Sequence, residues 1–216
     1  MVNMIFKKLL DDYPDLNICR NEIYNAYYIL KACYEKKGLV MVCGSGGSAS
    51  DSEHIVGELM KGFNLKRPLP EEEKMKFSAL PDGEHIAASL QSALPAISLV
   101  SQTSLMTAFA NDVSADLVFA QQVYAYAKNN FDVLIAMSTS GNSKNVVLAA
   151  ETAKAAGIKT VAITGEKNSA LTELADVTIK IPRSTPYEVQ EFTLPVYHAI
   201  CAMLEAAFFD IKSAEE

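Results

Sequence analysis

A histidine and a glutamate four residues apart, His54 and Glu58, could do chemistry if they lie on one helix. Side chains at positions i and i+4 share a helix face, and an imidazole beside a carboxylate can bind a metal ion or exchange protons. A lone pair at this spacing is more often only the polar face of an amphipathic helix. A lone histidine in an apolar stretch, as His198 is, more often belongs to the core. The spacing of His54 and Glu58 alone therefore does not establish a functional site, and neighbouring motifs must decide.

A glycine-rich turn precedes this pair. The apolar run 39–43 leads into the turn 44–48 (GSGGS), and either Ser50 or Asp51 could cap the helix that follows. Unpaired N–H groups at a helix start make such a turn an anion site. The next predicted strand lacks the acidic residue of a dinucleotide site, and the chain has no GxxxxGK[ST] motif. The turn therefore predicts an anion site without a nucleotide cofactor.

A second loop, 138–143 (STSGNS), carries four hydroxyl side chains between the apolar run 133–137 and a predicted helix over 144–156. Hydroxyls and helix-start amides can hold a dianionic phosphate without help from a positive charge. An ordinary polar loop with a serine cap would explain this run alone. Together with the glycine turn, it favours a phosphate site.

The elements that must position these loops alternate between strands and helices. Apolar runs predict strands at 39–43, 96–100, 133–137, 160–163 and 177–181. The alternation predicts an α/β fold with a doubly wound, five-stranded parallel sheet flanked by helices, in which 177–181 forms an edge. Ligands bind beyond the carboxyl ends of such strands near the topological switch point, where both loops fall.

The chain is expected to form a single domain over 1–216, with a helical N-terminal segment at 3–36 and a last helix over about 188–209. The segment 64–95 contains four prolines and is the hardest to place. It could be a solvated excursion, a short helical hairpin or a lid over the site.

Composition limits the partners and the compartment. A net charge of −7 argues against a nucleic-acid surface. Four scattered cysteines without a CxxC pair and an N-terminus without a signal-peptide core indicate a cytoplasmic protein. The apolar stretch 192–209 contains Pro195, His198 and Glu205, so a buried helix is a better interpretation than a membrane span.

Five motifs carry a resemblance that extends over most of residues 16–209: GSGGS…HIVGEL, ANDVSADLVFAQQV, STSGNS, AITGE and VQEFTLPVYH. Together they resemble the sugar isomerase (SIS) domain family, whose sheet has the flavodoxin-like topology. Within that family they are similar to the isomerases of heptose phosphates. The resemblance implies interconversion of sedoheptulose 7-phosphate and D-glycero-D-manno-heptose 7-phosphate through an enediol.

The resemblance also implies roles for individual residues. Phosphate would be held by Ser138, Thr139, Ser140 and Ser143. The sugar would be contacted by Ser45, Gly46, Gly47, Ser48, Glu58, Asn111, Asp112 and Gln190. One zinc ion per chain would be bound by His54, Glu58, Gln190 and His198. Glu58 and His198 would exchange protons with the substrate, with Asp112 as an alternative base. Ser45 stands where the isomerases typically carry asparagine.

Two alternatives stay open at this stage. One is a regulatory SIS protein that senses a phosphosugar or associates with a replication initiator. The other is an isomerase or lyase for another phosphosugar. Retention of all four expected metal ligands favours the isomerase.

The resemblance further implies a homotetramer with sites between subunits. Gln190 and His198 lie about 12 Å apart along a continuous helix, too far for two ligands of one ion unless they are brought together in some other way. Three arrangements could bring the ligands together. The helix could begin after Gln190, it could bend at Pro195, or one of the ligands could come from a neighbouring chain.

Overall fold

Five short apolar segments form one parallel sheet in the computed structural model, which describes residues 1–210. Its strands are β1 Val40–Cys43, β2 Ala96–Ser98, β3 Val133–Met137, β4 Lys159–Thr164 and β5 Val177–Lys180. The strand order is β2-β1-β3-β4-β5, and all four pairings are parallel. This is the flavodoxin-like order, so the predicted doubly wound sheet is confirmed, with β5 at an edge.

Helices cover both faces of the sheet. The first face is covered by α1 Val2–Asp12, α2 Arg20–Glu35, α3 Gly47–Met60 and α10 Pro186–Phe209, and the second by α6 Thr103–Phe109, α7 Val118–Tyr126, α8 Lys144–Ala155 and α9 Ala170–Leu174. Pro14–Cys19 forms a 3-10 turn between α1 and α2.

Alternating side chains of the strands supply the two halves of the core. Val40 and Val42 of β1 pack in the cluster with α1, α2, α3 and α10, whereas Met41 and Cys43 pack on the opposite face. All four are completely buried. A strand between two helical layers has no polar face to show, which is why the sequence has a continuous apolar run there.

The last helix, α10, is long and apolar enough to cross a membrane by length and composition alone. In this fold 67% of its most apolar window is buried. Val196, Met203 and Leu204 lie in the core beside the sheet. The helix therefore packs as a core helix, as predicted.

The segment 64–95 forms a helical hairpin of two short helices, α4 Glu71–Met75 and α5 Gly83–Ser89. A bridge between Pro68 and Gln91 closes its base, and the Ser92 N–H donates to the Arg67 carbonyl at 2.8 Å. This base joins the end of α3 to the start of β2, at the opposite end of the strands from the two loops. The hairpin interpretation agrees with the structure, and the lid remains a prediction.

Candidate functional site

The two polar loops flank the switch point of the sheet, because β1 and β3 are neighbours whose chains continue in opposite directions from it. The Asn145 side-chain N–H donates to the Ser45 hydroxyl at 3.1 Å and so links the loops directly. Sequence reasoning missed Asn145, whose only signal is its place in the first turn of α8.

The turn after β1 has the backbone geometry that only glycine accepts readily. Gly46 has a φ of 62°. A Cβ on Gly47 would lie 2.6 Å from the Gln190 side-chain nitrogen, so glycine is needed for this close approach. Helix α3 begins at Gly47, and Ser50 and Asp51 lie inside it. The prediction that one of them is the N-cap is wrong, because the positive φ ends the turn earlier, at Gly46.

The sugar-contact candidates in this turn differ in accessibility. Ser45, Gly46 and Gly47 are exposed to solvent in the single chain. Ser48 is only 6% exposed because it belongs to the first turn of α3. The open part of the turn is therefore the stretch before Ser48.

The hydroxyls of the second loop are gathered around Ser138. The oxygen of Ser138 lies 2.9 Å from that of Ser143 and 3.4 Å from that of Ser140. The N–H of Ser143, the residue that precedes α8, donates to Ser138 at 3.4 Å. Thr139 lies in the same loop, and its carbonyl accepts the Gly165 N–H at 3.0 Å. Hydroxyls and the start of an α-helix are thus brought together as the phosphate hypothesis requires.

Three of the four predicted metal ligands meet between α3 and α10. The His54 Nε2 atom lies 3.1 Å from Glu58 Oε1 and 3.5 Å from His198 Nε2. The Glu58 side chain is 13% exposed and the His54 side chain 43% exposed. The i, i+4 spacing of His54 and Glu58 does place them on one helix face, as predicted.

The fourth predicted ligand, Gln190, lies apart from these three. Its amide packs against Gly47, and within residues 1–210 it has no hydrogen bond to His54, Glu58 or His198. Helix α10 begins at Pro186, so the hypothesis of a helix start after Gln190 is wrong.

The two candidates that follow β2 are not joined to the rest of the site in this chain. Asn111 donates to Asp112 Oδ1 at 2.8 Å, and both are exposed on a π-helical turn, Ala110–Ser114. Apart from this bond to each other, neither has a hydrogen bond to a candidate residue in the part of the chain that the structure describes.

A tyrosine that sequence reasoning missed contacts the back of His54. The Tyr197 hydroxyl lies 3.0 Å from His54 Nδ1 and 3.3 Å from Asp51 Oδ1. Burial, and next the charge of Asp51, raise the pKa of Tyr197 well above its usual value. Burial also raises the pKa of Asp51, against the opposing effect of the Tyr197 hydrogen bond. Burial and the nearby His54 lower the pKa of His198.

The donor set fits a zinc ion in chemistry and in pairwise spacing. Ligands about 2.1 Å from a tetrahedral ion lie about 3.4 Å from each other, close to the separations of 3.1 and 3.5 Å around His54. The Glu58 Oε2 atom has no hydrogen-bond partner among residues 1–210, and it forms an ion pair with Lys61, whose Nζ atom lies 3.7 Å away. No group of three His, Cys, Asp or Glu side chains in that part of the chain is already arranged to hold a metal ion. The agreement with zinc geometry therefore concerns the distances within pairs of ligands.

Comparison with known proteins gives matches over most of the chain. Two models of the SIS domain match residues 18–88 and 103–209. A phosphoheptose isomerase from a Nitratiruptor species is 35% identical over 189 residues, which are 88% of this chain and 88% of that protein.

Two solved structures of phosphoheptose isomerases have the same fold. The Neisseria gonorrhoeae protein is 26% identical with a TM-score of 0.73, and the match covers 95% of this chain and 97% of the other. The Francisella tularensis protein is also 26% identical with a TM-score of 0.73, over 94% and 95% of the two chains. This chain therefore belongs to the SIS domain family and, within it, to the phosphoheptose isomerases.

Proposed function

We propose that this protein is an aldose–ketose isomerase that interconverts sedoheptulose 7-phosphate and D-glycero-D-manno-heptose 7-phosphate. The observation that carries the proposal is the approach of His54, Glu58 and His198 between α10 and the helix α3, which begins at the glycine turn. A binding protein would need the phosphate loop alone. An isomerase also needs groups that accept and return a proton.

The serine loop would anchor the substrate through its phosphate. Ser138, Ser140 and Ser143 present hydroxyls, and the first turn of α8 presents free N–H groups. Anchoring one end of a seven-carbon chain restricts where its carbonyl end can lie. The proposed sugar contacts are Ser45, Gly46, Gly47 and Gln190, with Asn111 and Asp112 available to a site that includes another subunit.

The reaction moves one proton from C1 of the ketose to C2 of the aldose, and a second from the C1 hydroxyl to the C2 oxygen. No atom is gained or lost. Glu58 and His198 are the two groups proposed to exchange these protons, and the proposal is supported by the approach of both to His54 Nε2. Asp112 keeps the role of an alternative base only if it is supplied by a neighbouring chain.

We propose one zinc ion per chain, held by His54, Glu58 and His198. Gln190 would be the fourth ligand only through a bend of α10 at Pro195 or from a neighbouring chain. When bound, the ion would polarise the substrate carbonyl as a Lewis acid. The approach of two imidazoles and a carboxylate supports a cation at this place, because histidine nitrogens and carboxylate oxygens are ligands that zinc prefers. Binding to zinc lowers the basicity of Glu58 and of His198 alike, which is why Asp112 is kept as the alternative base.

The proposed assembly is a homotetramer with sites at subunit interfaces, and the proposed location is the cytoplasm. Exposure of Ser45, Gly46 and Gly47 supports a cover from another subunit. Leu194 and Tyr187 on α10 are also exposed apolar side chains. Four free buried cysteines support a reducing compartment.

The test is turnover of sedoheptulose 7-phosphate in deuterium oxide, followed by proton NMR. We expect heptose 7-phosphate with deuterium at C2. Glu58→Gln and His198→Asn should each lower kcat by about 10²–10⁴-fold. His85→Asn, which changes an exposed histidine of α5, is the matched control and should be neutral.

Each other outcome points to a specific alternative. Binding of the phosphosugar without turnover by zinc-loaded protein would favour the regulatory SIS protein. Turnover of a different phosphosugar alone would keep the isomerase but replace the substrate.

A further inference from the structure

A buried tyrosine joins two side chains of α3 from the opposite helix. Tyr197 of α10 is 2% exposed, and its hydroxyl lies 3.0 Å from His54 Nδ1 and 3.3 Å from Asp51 Oδ1. The hydroxyl has a single proton, so it can donate to only one of these two neighbours. The choice decides which nitrogen of His54 carries a proton.

In one arrangement Tyr197 donates to His54 Nδ1. The neutral imidazole then carries its proton on Nε2 and donates it to Glu58 Oε1 at 3.1 Å. Asp51 would then have no donor at Oδ1, and its Oδ2 atom is already buried without a partner among residues 1–210. A half-buried carboxylate without any hydrogen bond is the costly result.

In the other arrangement Tyr197 donates to Asp51, and His54 donates its Nδ1–H to the tyrosine oxygen. Each group then has a partner of the opposite kind, since a carboxylate can only accept. This arrangement leaves a lone pair on His54 Nε2, facing Glu58 Oε1 at 3.1 Å and His198 Nε2 at 3.5 Å. Two acceptors so close repel each other unless a cation lies between them.

We infer that Tyr197 and Asp51 are positioning residues that hold His54 in its Nδ1–H tautomer and thereby present the Nε2 lone pair to a metal ion. The inference deepens the proposed function and rests on its zinc site. Neither residue is one of the proposed ligands of the ion. They act through His54, in the way that carboxylate or carbonyl partners commonly orient metal-bound histidines.

The first test is zinc affinity, measured by competition with a chromophoric chelator. Tyr197→Phe removes one oxygen and should weaken binding by about 10–100-fold. Tyr34→Phe is the matched control: it removes a buried hydroxyl that has no hydrogen-bond partner among residues 1–210, and it should leave zinc affinity unchanged.

Asp51→Asn probes the direction of the hydrogen bonds. An asparagine can donate to the Tyr197 oxygen, which would turn the tyrosine proton towards His54 Nδ1 and move the imidazole proton to Nε2. Zinc affinity should therefore fall at least as far as in Tyr197→Phe. In the Tyr197→Phe/Asp51→Asn double variant the two losses should not add, because both act through one imidazole.

The second test reads the tautomer directly and needs no variant that might fail to fold. Nitrogen-15 NMR of histidine-labelled wild-type protein, metal-free at pH 8.5 and then zinc-loaded, should report a proton on Nδ1 of His54. A proton on Nε2 in the metal-free protein, or wild-type zinc affinity in a folded Tyr197→Phe protein, would overturn the inference. Failure of the wild-type protein to bind zinc would instead overturn the proposed metal, and the metal-free spectrum would still decide the tautomer.

Discussion

Arg67 and Glu205, 138 residues apart in the chain, form an ion pair with 2.8 Å between Arg67 Nε and Glu205 Oε1. Their side chains are 0% and 1% exposed. Glu205 also accepts the N–H groups of Phe63, Asn64 and Leu65, while the guanidinium donates to the carbonyls of Glu58 and Leu59. The pair therefore ties the end of α3, which carries Glu58, to α10.

Breaking this pair from one side should be strongly destabilising. Glu205→Gln puts an N–H₂ group against donors and leaves the Arg67 charge buried without compensation, so the free energy of unfolding should fall by about 3–5 kcal/mol. Urea denaturation measures it. Asp11→Asn, which breaks the exposed pair Lys7–Asp11, is the control and should change stability by less than about 0.5 kcal/mol. Equal effects in both variants would contradict the role assigned to the buried pair.

Removal of one hydroxyl from the serine loop should weaken phosphosugar binding and spare the fold. Ser138→Ala or Ser143→Ala loses a hydrogen bond to a charged group, worth about 1.5–3 kcal/mol, or about 10–100-fold in Kd. Calorimetric titration with sedoheptulose 7-phosphate, in a Glu58→Gln background that stops turnover, gives the affinity. Ser78→Ala, in the exposed hairpin, is the control. Unchanged affinity in both loop variants would show that the phosphate binds at another place.

We expect the protein to lose stability at alkaline pH because its four cysteine thiols are buried. Burial raises the pKa of Cys19 to about 11 and those of Cys33, Cys43 and Cys201 to about 12, from 9.0. The folded chain holds these protons more tightly than the unfolded chain, so the stabilisation is complete below pH 9 and is lost as the pH rises towards 12.

Denaturation at pH 8, 9 and 10 checks this sign. Cys43→Ala should reduce the slope above pH 9 by up to about 1.4 kcal/mol per pH unit, one proton's worth. A slope that is flat from pH 8 to 10, or a native thiol that reacts with iodoacetamide as fast as a free one, would contradict the burial of these groups.

The hairpin should be the least protected part of the chain in hydrogen exchange. Amides of α4 and α5 should exchange within seconds, because these helices are short and exposed, whereas the amides of residues 63–65 bonded to Glu205 should be protected. Slower exchange in α4 or α5 on adding phosphosugar would support the hypothesis that this segment is a lid. Unchanged exchange there would contradict that hypothesis.

The proposed interfacial site predicts complementation between inactive chains. His54 and His198 meet within one chain, so a mixture of His54→Ala and His198→Ala chains should stay inactive. Asp112 is not joined to them in its own chain, so co-refolded His54→Ala and Asp112→Ala chains should recover part of the activity. Light scattering should give the mass of a tetramer. A monomer active by itself would contradict the shared site.

Local patterns in the sequence were enough to predict the strands and the residues that share one face of a helix, because these features depend only on residues close together in the chain. Apolar runs predicted the strands β1 to β4, because strands between two helical layers are largely buried on both sides. The edge position of β5 followed from the alternation in its sequence. His54 and Glu58 could be paired from their spacing, since helical periodicity alone places them on one face.

Contacts between distant segments were decided only by the tertiary structure. Tyr197 reaches His54 from a position 143 residues away, and Arg67 reaches Glu205 across 138 residues. Asn145 meets Ser45 across 100 residues. Such pairs depend on how α3, α8 and α10 pack against the sheet, and no local pattern encodes the partner of a single polar side chain. The start of α3 at Gly47 belongs here too, because the close approach of Gln190 requires a glycine at that point.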